Sequence, residues 1–336
     1  MRKLMIARPR PWQPLLVVML ALVASAAAAQ PPATDRSWTL PRLPDGQPDL
    51  QGVWTNATIT PFERGTTMPY TRGVNVPEDS TTRTIFTEEE AALLEEQTVA
   101  GRPELLGAYN VWMDAGDRLL STRQTSLVVD PPDGRIRVKP EAAAVREAAI
   151  ARQRDDYRTM STWDRCITRG VPGSMLPTGY NNAYRIMQTS DHVVILHEMI
   201  HEARIIPLDD RPYIDNAVDQ WTGDARARWD GDTLVVETRN FNDRAMIFTS
   251  SNKGRLKGLP ISQSMRLEER FTRTSEDEIF WEFTVNDPEV YDGPWTVSMP
   301  LTYAPAYVMY EYACHEGNLD VAIYMGGGRV EELEGR

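Results

Sequence analysis

The residues best placed to do chemistry are His197-Glu198-Met199-Ile200-His201. On a helix, histidines four apart share one face and bind a single zinc ion, with the intervening glutamate as general base. Thr189, Ser190 or Asp191 would cap that helix and Pro207 would end it; Leu196, Met199, Ile200 and Ala203 would form its apolar stripe. This is the zinc metallohydrolase reading. The segment's composition argues for a strand instead, because Val193, Val194, Ile195, Ile200, Ile205 and Ile206 are β-branched. In one continuous strand, Val193, Ile195, His197, Met199, His201, Ala203 and Ile205 share a face. At about 3.3 Å per residue the two imidazoles then stand about 13 Å apart, too far to share a zinc. The opposite face, with Glu198, Glu202 and Arg204, reads as a partly solvated, salt-bridged surface. If the histidine face lines a barrel, His197 and His201 bind a ligand or transfer protons without metal, since imidazole titrates near neutrality. The competing reading is a pair of core histidines with satisfied hydrogen bonds.

A second group gathers around the two cysteines, Cys166 and Cys314. Arg165 and Arg169 flank the first in a loop rich in Pro and Gly, and two guanidiniums there suit a carboxylate or phosphate. The plainer role for them is to bond loop carbonyls. His315 and Glu316 follow the second cysteine. A Cys166–Cys314 bridge would bring an acid, an imidazole and two guanidiniums together as a site. Asp224 and Arg226 are weaker candidates that also read as a structural ion pair. Ser174 has no adjacent base in the sequence and no nucleophile-elbow pattern.

Oxidising surroundings for that bridge are expected from the N-terminus. A basic stretch precedes an apolar run from Leu15 to Ala29, which ends in Ala27-Ala28-Ala29 before Gln30. This is the layout of a secretory signal cleaved after Ala29, and it predicts a periplasmic or secreted product with no membrane insertion after cleavage. The chain has 336 residues and a net charge of −12, and removing Arg2, Lys3, Arg8 and Arg10 with the signal takes the charge to −16. Such acidity argues against a nucleic-acid partner.

The elements that must position these residues follow from pattern. Residues 30–48, rich in Pro, read as an extended lead-in to a single β-rich domain over 49–325. Thr87-Glu88-Glu89-Glu90 is a capping box that opens a helix near 87–99, and Pro140 opens another near 140–157. From Trp163 onward, short strands alternate with turn signals. Asp230-Gly231 marks a hairpin before Leu234-Val235-Val236, and strands follow over Ser264–Thr272, Glu278–Val285 and Trp295–Tyr303. The fold class expected is mainly β, an antiparallel barrel or sandwich with two peripheral helices. Gly52-Val53-Trp54 is similar to the Gly-x-Trp opening strand of lipocalin-like barrels. Gly326-Gly327-Gly328 reads as part of a flexible tail over 326–336.

Taken together, Pro48 through Trp54, Arg165 through Asn182, Arg228 through Thr238 and Tyr310 through Asn318 resemble a group of exported bacterial proteins of unassigned activity. The resemblance implies a shared fold and disulfide and favours a strand around His197. The function expected is a small-organic-molecule site used for metal-free acid–base catalysis, with no cofactor. The alternatives are a non-catalytic lipocalin-like carrier and the zinc hydrolase.

Overall fold

A computed structural model describes residues 38–66, 76–106, 113–249 and 251–335. The expected signal peptide lies outside the described residues. No helix among those residues is long and apolar enough to cross a membrane.

Alternation of apolar and polar residues sets the architecture. β1 (Gly52–Thr55), β2 (Val128–Asp130), β3 (Ala183–Gln188), β4 (His192–His197) and β5 (Ala203–Pro207) are followed by β6 (Asp224–Asp230) and β7 (Thr233–Arg239). β8 (Arg266–Arg273), β9 (Glu278–Asn286) and β10 (Trp295–Tyr303) complete the set. Nine of these pair in the order β5-β4-β3-β1-β10-β9-β8-β7-β6, all antiparallel, with β2 added on β10. β5 lies beside β6, so the sheet curls into a nearly closed barrel. Of the two architectures expected, the barrel is the one formed.

The period of two places one set of side chains inside. Ile279, Trp281, Phe283 and Val285 of β9 stand opposite Leu301, Met299, Val297 and Trp295 of β10, and all are buried. Leu267 and Phe271 of β8 continue the layer, and the loops between β7 and β8 add Phe241, Phe248 and Leu256. The interior is therefore packed with side chains. The Gly-x-Trp opening has a steric reason here. A Cβ on Gly52 would lie 2.6 Å from the Tyr303 ring, which packs 4.9 Å from the ring of Trp54.

Both expected helices form, as α1 (Glu88–Leu106) and α2 (Pro140–Ala151). The capping box closes as predicted: Thr87 Oγ1 accepts from the Glu90 N–H at 3.2 Å and Glu90 Oε2 accepts from the Thr87 N–H at 2.8 Å. α2 stops six residues before the expected Tyr157. The Asp230-Gly231 hairpin also forms, but Asp230 still pairs with Thr233, so Gly231 and Asp232 make the turn. The expected flexible tail is instead part of α3 (Asp320–Glu334). A glycine run is tolerated there because packing overrides propensity. Gly328 is buried against the Arg154 backbone, where a Cβ would meet the carbonyl oxygen at 2.5 Å, and Arg154 pairs with Glu331. The lead-in is tied down by Arg42 on Asp232 at 2.5 Å and by Gln47 on the Ser190 carbonyl at 3.1 Å.

One charged contact lies inside this apolar packing. Arg204 of β5 reaches across the seam, past β6 and β7, to Glu269 of β8. Both are buried; Arg204 Nη1 donates to Glu269 Oε1 at 3.0 Å, and Nη2 makes a second, parallel bond to Oε2. Removing one partner strands a buried charge. Arg204→Met is expected to lower unfolding free energy by about 3–5 kcal/mol, and Arg204→Met with Glu269→Leu to recover most of that loss. Urea denaturation of both variants checks this, and equal losses in single and double variants would contradict it.

Candidate functional site

Four strand ends meet at one end of the barrel: β1 finishes at Thr55 and β4 at His197, while β3 begins at Ala183 and β5 at Ala203. β4 pairs with β3 on one side and β5 on the other, so its ladders satisfy the backbone as far as His197. A helix from 193 would forfeit both ladders. The zinc-binding helix is accordingly not formed, and His197-Glu198-x-x-His201 is the end of a strand and its turn. The His197 N–H donates to the Glu202 carbonyl at 2.8 Å across that turn. Ile200 and His201 take left-handed backbone angles, φ 62° and 42°. For a β-branched residue such as Ile200 this is strained backbone, of the kind held only where the surroundings impose it.

The turn also corrects the expected shared histidine face, because the strand does not continue beyond His197. His197 is buried and His201 is exposed. His201 Nδ1 lies 2.7 Å from the Tyr312 carbonyl, so that nitrogen carries the proton and Nε2 is left to face outward contacts. His197 Nε2 lies 3.5 Å from Ser174 Oγ, and its Nδ1 is buried without a partner. Burial, and then the charge of Arg204, pushes the His197 imidazole down to about 3, so the ring is neutral near pH 7.

The expected solvated face is corrected as well. Arg204 points into the barrel, Glu202 accepts from Thr168 Oγ1 at 2.9 Å, and Glu198 is buried. One Glu198 oxygen accepts from the Tyr307 hydroxyl at 2.7 Å and the other from the Tyr310 N–H at 2.9 Å. Burial and the Glu198 carboxylate raise Tyr307 above the ordinary phenol value, so its proton stays in place. Tyr307, Tyr310 and Tyr312 belong to a strap, residues 304–319, that runs from β10 across this end.

Beside Glu198 lies Asp114, which sequence reasoning missed because no motif surrounds it. Asn182, one residue before β3, donates to it from Nδ2 at 3.1 Å and from its backbone N–H at 3.3 Å. Asn182 also bonds the Thr178 carbonyl and the Asp114 carbonyl, which fixes residues 114 and 178–182 together. Burial first, and the negative charge of Glu198 with it, pushes the Asp114 carboxyl up to about 6 against the opposing hydrogen bonds from Asn182.

The cysteine group assembles in part. Cys166 and Cys314 form a disulfide with a Cα–Cα distance of 5.6 Å, as expected. Arg169 is buried with its guanidinium 4.6 Å over the Trp163 ring. Arg165 is half-buried beside Tyr157, Arg244 and Asp156. His315 and Glu316 are exposed, and Glu316 lines a cleft next to the bridge. Asp224 and Arg226 form a bidentate ion pair on β6, bonded to the Ile214 N–H and the Arg211 and Pro212 carbonyls. That network matches the structural alternative for them. Lys253, also missed, is buried with Nζ donating to the Pro177 carbonyl at 2.9 Å, and burial beside Arg169 brings it down to about 7.

Comparison of the chain with protein-family models, curated proteins and solved structures finds no match.

The His197 environment has a measurable consequence. Its pKa is about 3 folded, against an ordinary value of 6.5. Between those values the unfolded chain binds the extra proton, so stability falls as pH drops from 6.5 towards 3, by up to about 1.4 kcal/mol per pH unit. Asn in place of His197 has no proton to gain, so His197→Asn is expected to flatten that limb in urea titrations at pH 6.5 and pH 4.

Proposed function

We propose that the protein is a metal-free acid–base catalyst acting on a small organic molecule at the end of the barrel where Asp114, Glu198 and Tyr307 meet. The observation that carries this reading is the unequal environment of two neighbouring carboxyl groups. Glu198 receives a phenol and a backbone N–H, while Asp114 is raised to about 6 and so exchanges its proton near neutral pH. A carboxyl group that exchanges its proton near neutrality serves as a proton donor or acceptor, and Glu198 is held in place beside it by those two hydrogen bonds. The strained turn at Ile200 and His201 holds Glu198 in that position, and His201 Nε2 adds a second proton-accepting group at the rim.

The packed interior favours chemistry at the rim over carriage of a ligand inside the barrel, since Trp54, Tyr184, Trp281 and the Arg204–Glu269 pair fill the space a carrier leaves open.

Asp114→Asn removes the titrating group while leaving an acceptor for Asn182. Folded Asp114 titrates at about 6 against an ordinary 3.8, so its ionisation destabilises the fold increasingly as pH rises from 3.8 to 6 and fully above 6. The variant is therefore expected to be more stable than the parent above pH 6. It should lose about 10²–10⁴-fold in turnover on any substrate found in a screen of small molecules with acidic C–H or hydrolysable bonds. Carbon-13 carboxyl NMR should show one aspartate titrating near 6 that disappears in the variant. Full turnover in Asp114→Asn would overturn the reading, and stoichiometric ligand binding without turnover would favour the carrier.

A further inference from the structure

We infer that the outward face of α3 is a docking surface for a second copy of this chain, so that two α3 helices pair in parallel about a two-fold axis. The inference draws on none of the residues of the acid–base site and goes beyond that reading.

Leu319, Ile323, Gly326, Val330 and Leu333 follow one another at intervals of four, three, four and three residues. The Leu319 carbonyl accepts from the Ile323 N–H at 2.8 Å, so the helical register already holds at the first of them. At about 100° per residue, the five lie within about 40° of the direction opposite Gly328. Gly328 is the contact with the body of the protein: it is buried against the Arg154 backbone, and Arg154 pairs with Glu331. The stripe thus points away from the body, and its four large side chains are between 52% and 87% exposed. Single exposed apolar residues are ordinary on a protein surface, whereas a continuous apolar row marks an interaction face.

The residue types choose the occupant. An apolar row alternating by three and four is the seam along which two helices pack, and β-branched residues at a with leucine at d favour two parallel strands. Here the a positions hold Ile323 and Val330, and the outer d positions hold Leu319 and Leu333. At the central d position, Gly326 has nothing within 4 Å of where a Cβ would lie, and Ala322 and Gly327 beside the seam are small, so two backbones can come close. A two-fold axis along the seam sets the row on itself, as an isologous interface requires, and leaves the two barrels on opposite sides. Charge gives the direction. Parallel pairing turns Arg329 of one copy towards Glu334 of the other, whereas antiparallel pairing turns Asp320 towards Glu334. Glu334 also has a contact within its own chain, so this preference draws on the sign of the charges alone. Glu331 and Glu332 lie off the seam and give α3 an acidic character that an anionic lipid surface would repel. The helix is already formed and anchored, so pairing has little left to order. A seam of two heptads is smaller than the roughly 800 Å² per partner of a standard interface, so the dimer is weak and reversible.

The test is sedimentation velocity of the purified protein from about 1 μM to about 1 mM, where a monomer–dimer equilibrium is expected. Leu333→Glu, at an exposed position that leaves the fold and its melting temperature unchanged, should weaken the dimer at least about tenfold. Gly326→Leu fills the central d position and should tighten it about tenfold. Direction is read by cross-linking. The two native cysteines are bridged, so Leu333→Cys adds a single free thiol, and parallel pairing sets it against its own copy. Mild oxidation should then link Leu333→Cys into covalent dimers far faster than Glu332→Cys, which lies off the seam. A monomer throughout the concentration range, a dimer untouched by Leu333→Glu, or equal cross-linking of the two cysteine variants would each overturn the inference. So would a chain that stays monomeric and instead sediments with vesicles of phosphatidylethanolamine and phosphatidylglycerol, which would make the stripe a lipid-binding face.

Discussion

The buried ion pair between Arg204 and Glu269 is the constraint on which the candidate site depends. The seam between β5 and β6 is not one of the hydrogen-bonded ladders of the barrel, so what draws β5 inward there is a side chain that reaches β8. A guanidinium and a carboxylate buried among Trp281, Phe271 and Val236 are tolerable only in bidentate register, which fixes the height and rotation of β5. That in turn fixes the start of β5 and the turn before it. Burial first, and this guanidinium second, keep His197 neutral, because a second positive charge in this low-dielectric space is disfavoured. The neutral ring lies with Nε2 3.5 Å from Ser174 Oγ.

The strap of residues 304–319 converts this rigid rim into an arrangement of chemical groups. It has no regular secondary structure and is held by its attachments: Ala304 to the Val53 carbonyl at 2.8 Å, Tyr307 and Tyr310 to Glu198, Tyr312 to His201, and Cys314 to Cys166. The first attachment lands on β1, and the others land on the β4–β5 turn or the loop before β3. A segment anchored at both ends of its own functional stretch places its phenols without needing a helix or strand beneath them. The disulfide spans a sequence separation of 148, so it also limits the unfolded chain and offsets, in the chain-entropy picture, some of the destabilisation from buried carboxyls and a strained turn.

What was legible in the sequence was what local physics decides. Alternation gave β8, β9 and β10 to within two residues at either end, Asp230-Gly231 announced a hairpin, and Thr87 with Glu90 announced a helix start. The cysteine pair was legible from its count and from the expectation of export. The strand at His197 was legible from its β-branched neighbours, but its end was not. Nothing short-range requires Ile200 to adopt φ 62°; that conformation is imposed by pairing on both sides and by the strap above. The direction of Arg204 was misread for the same reason, since a charged residue is assigned to solvent unless its partner is known, and Glu269 lies 65 positions away. Asp114 carries no signal because its character comes from burial, and then from Asn182 and Glu198, which the fold brings to it from elsewhere in the chain. Gly326-Gly327-Gly328 misled because the interaction that makes it helical is with Arg154, on another element.

These misreadings share a pattern that bears on function. Apart from the glycine run in α3 and the buried Lys253, the residues whose behaviour departs from their local expectation are Glu198, Ile200, Arg204 and Asp114, and these belong to one end of the barrel. Natural sequences are locally consistent where only folding matters, and conflicts between local preference and final environment concentrate where a site is built. At the opposite end, the Gly231-Asp232 turn and the lead-in packed through Arg42 and Gln47 show no such conflict. The asymmetry does not come from the barrel as such, because both ends close the same strands. It arises because one end holds buried carboxyls, a neutral imidazole and a left-handed isoleucine in fixed positions, and it is on this arrangement that the acid–base proposal rests.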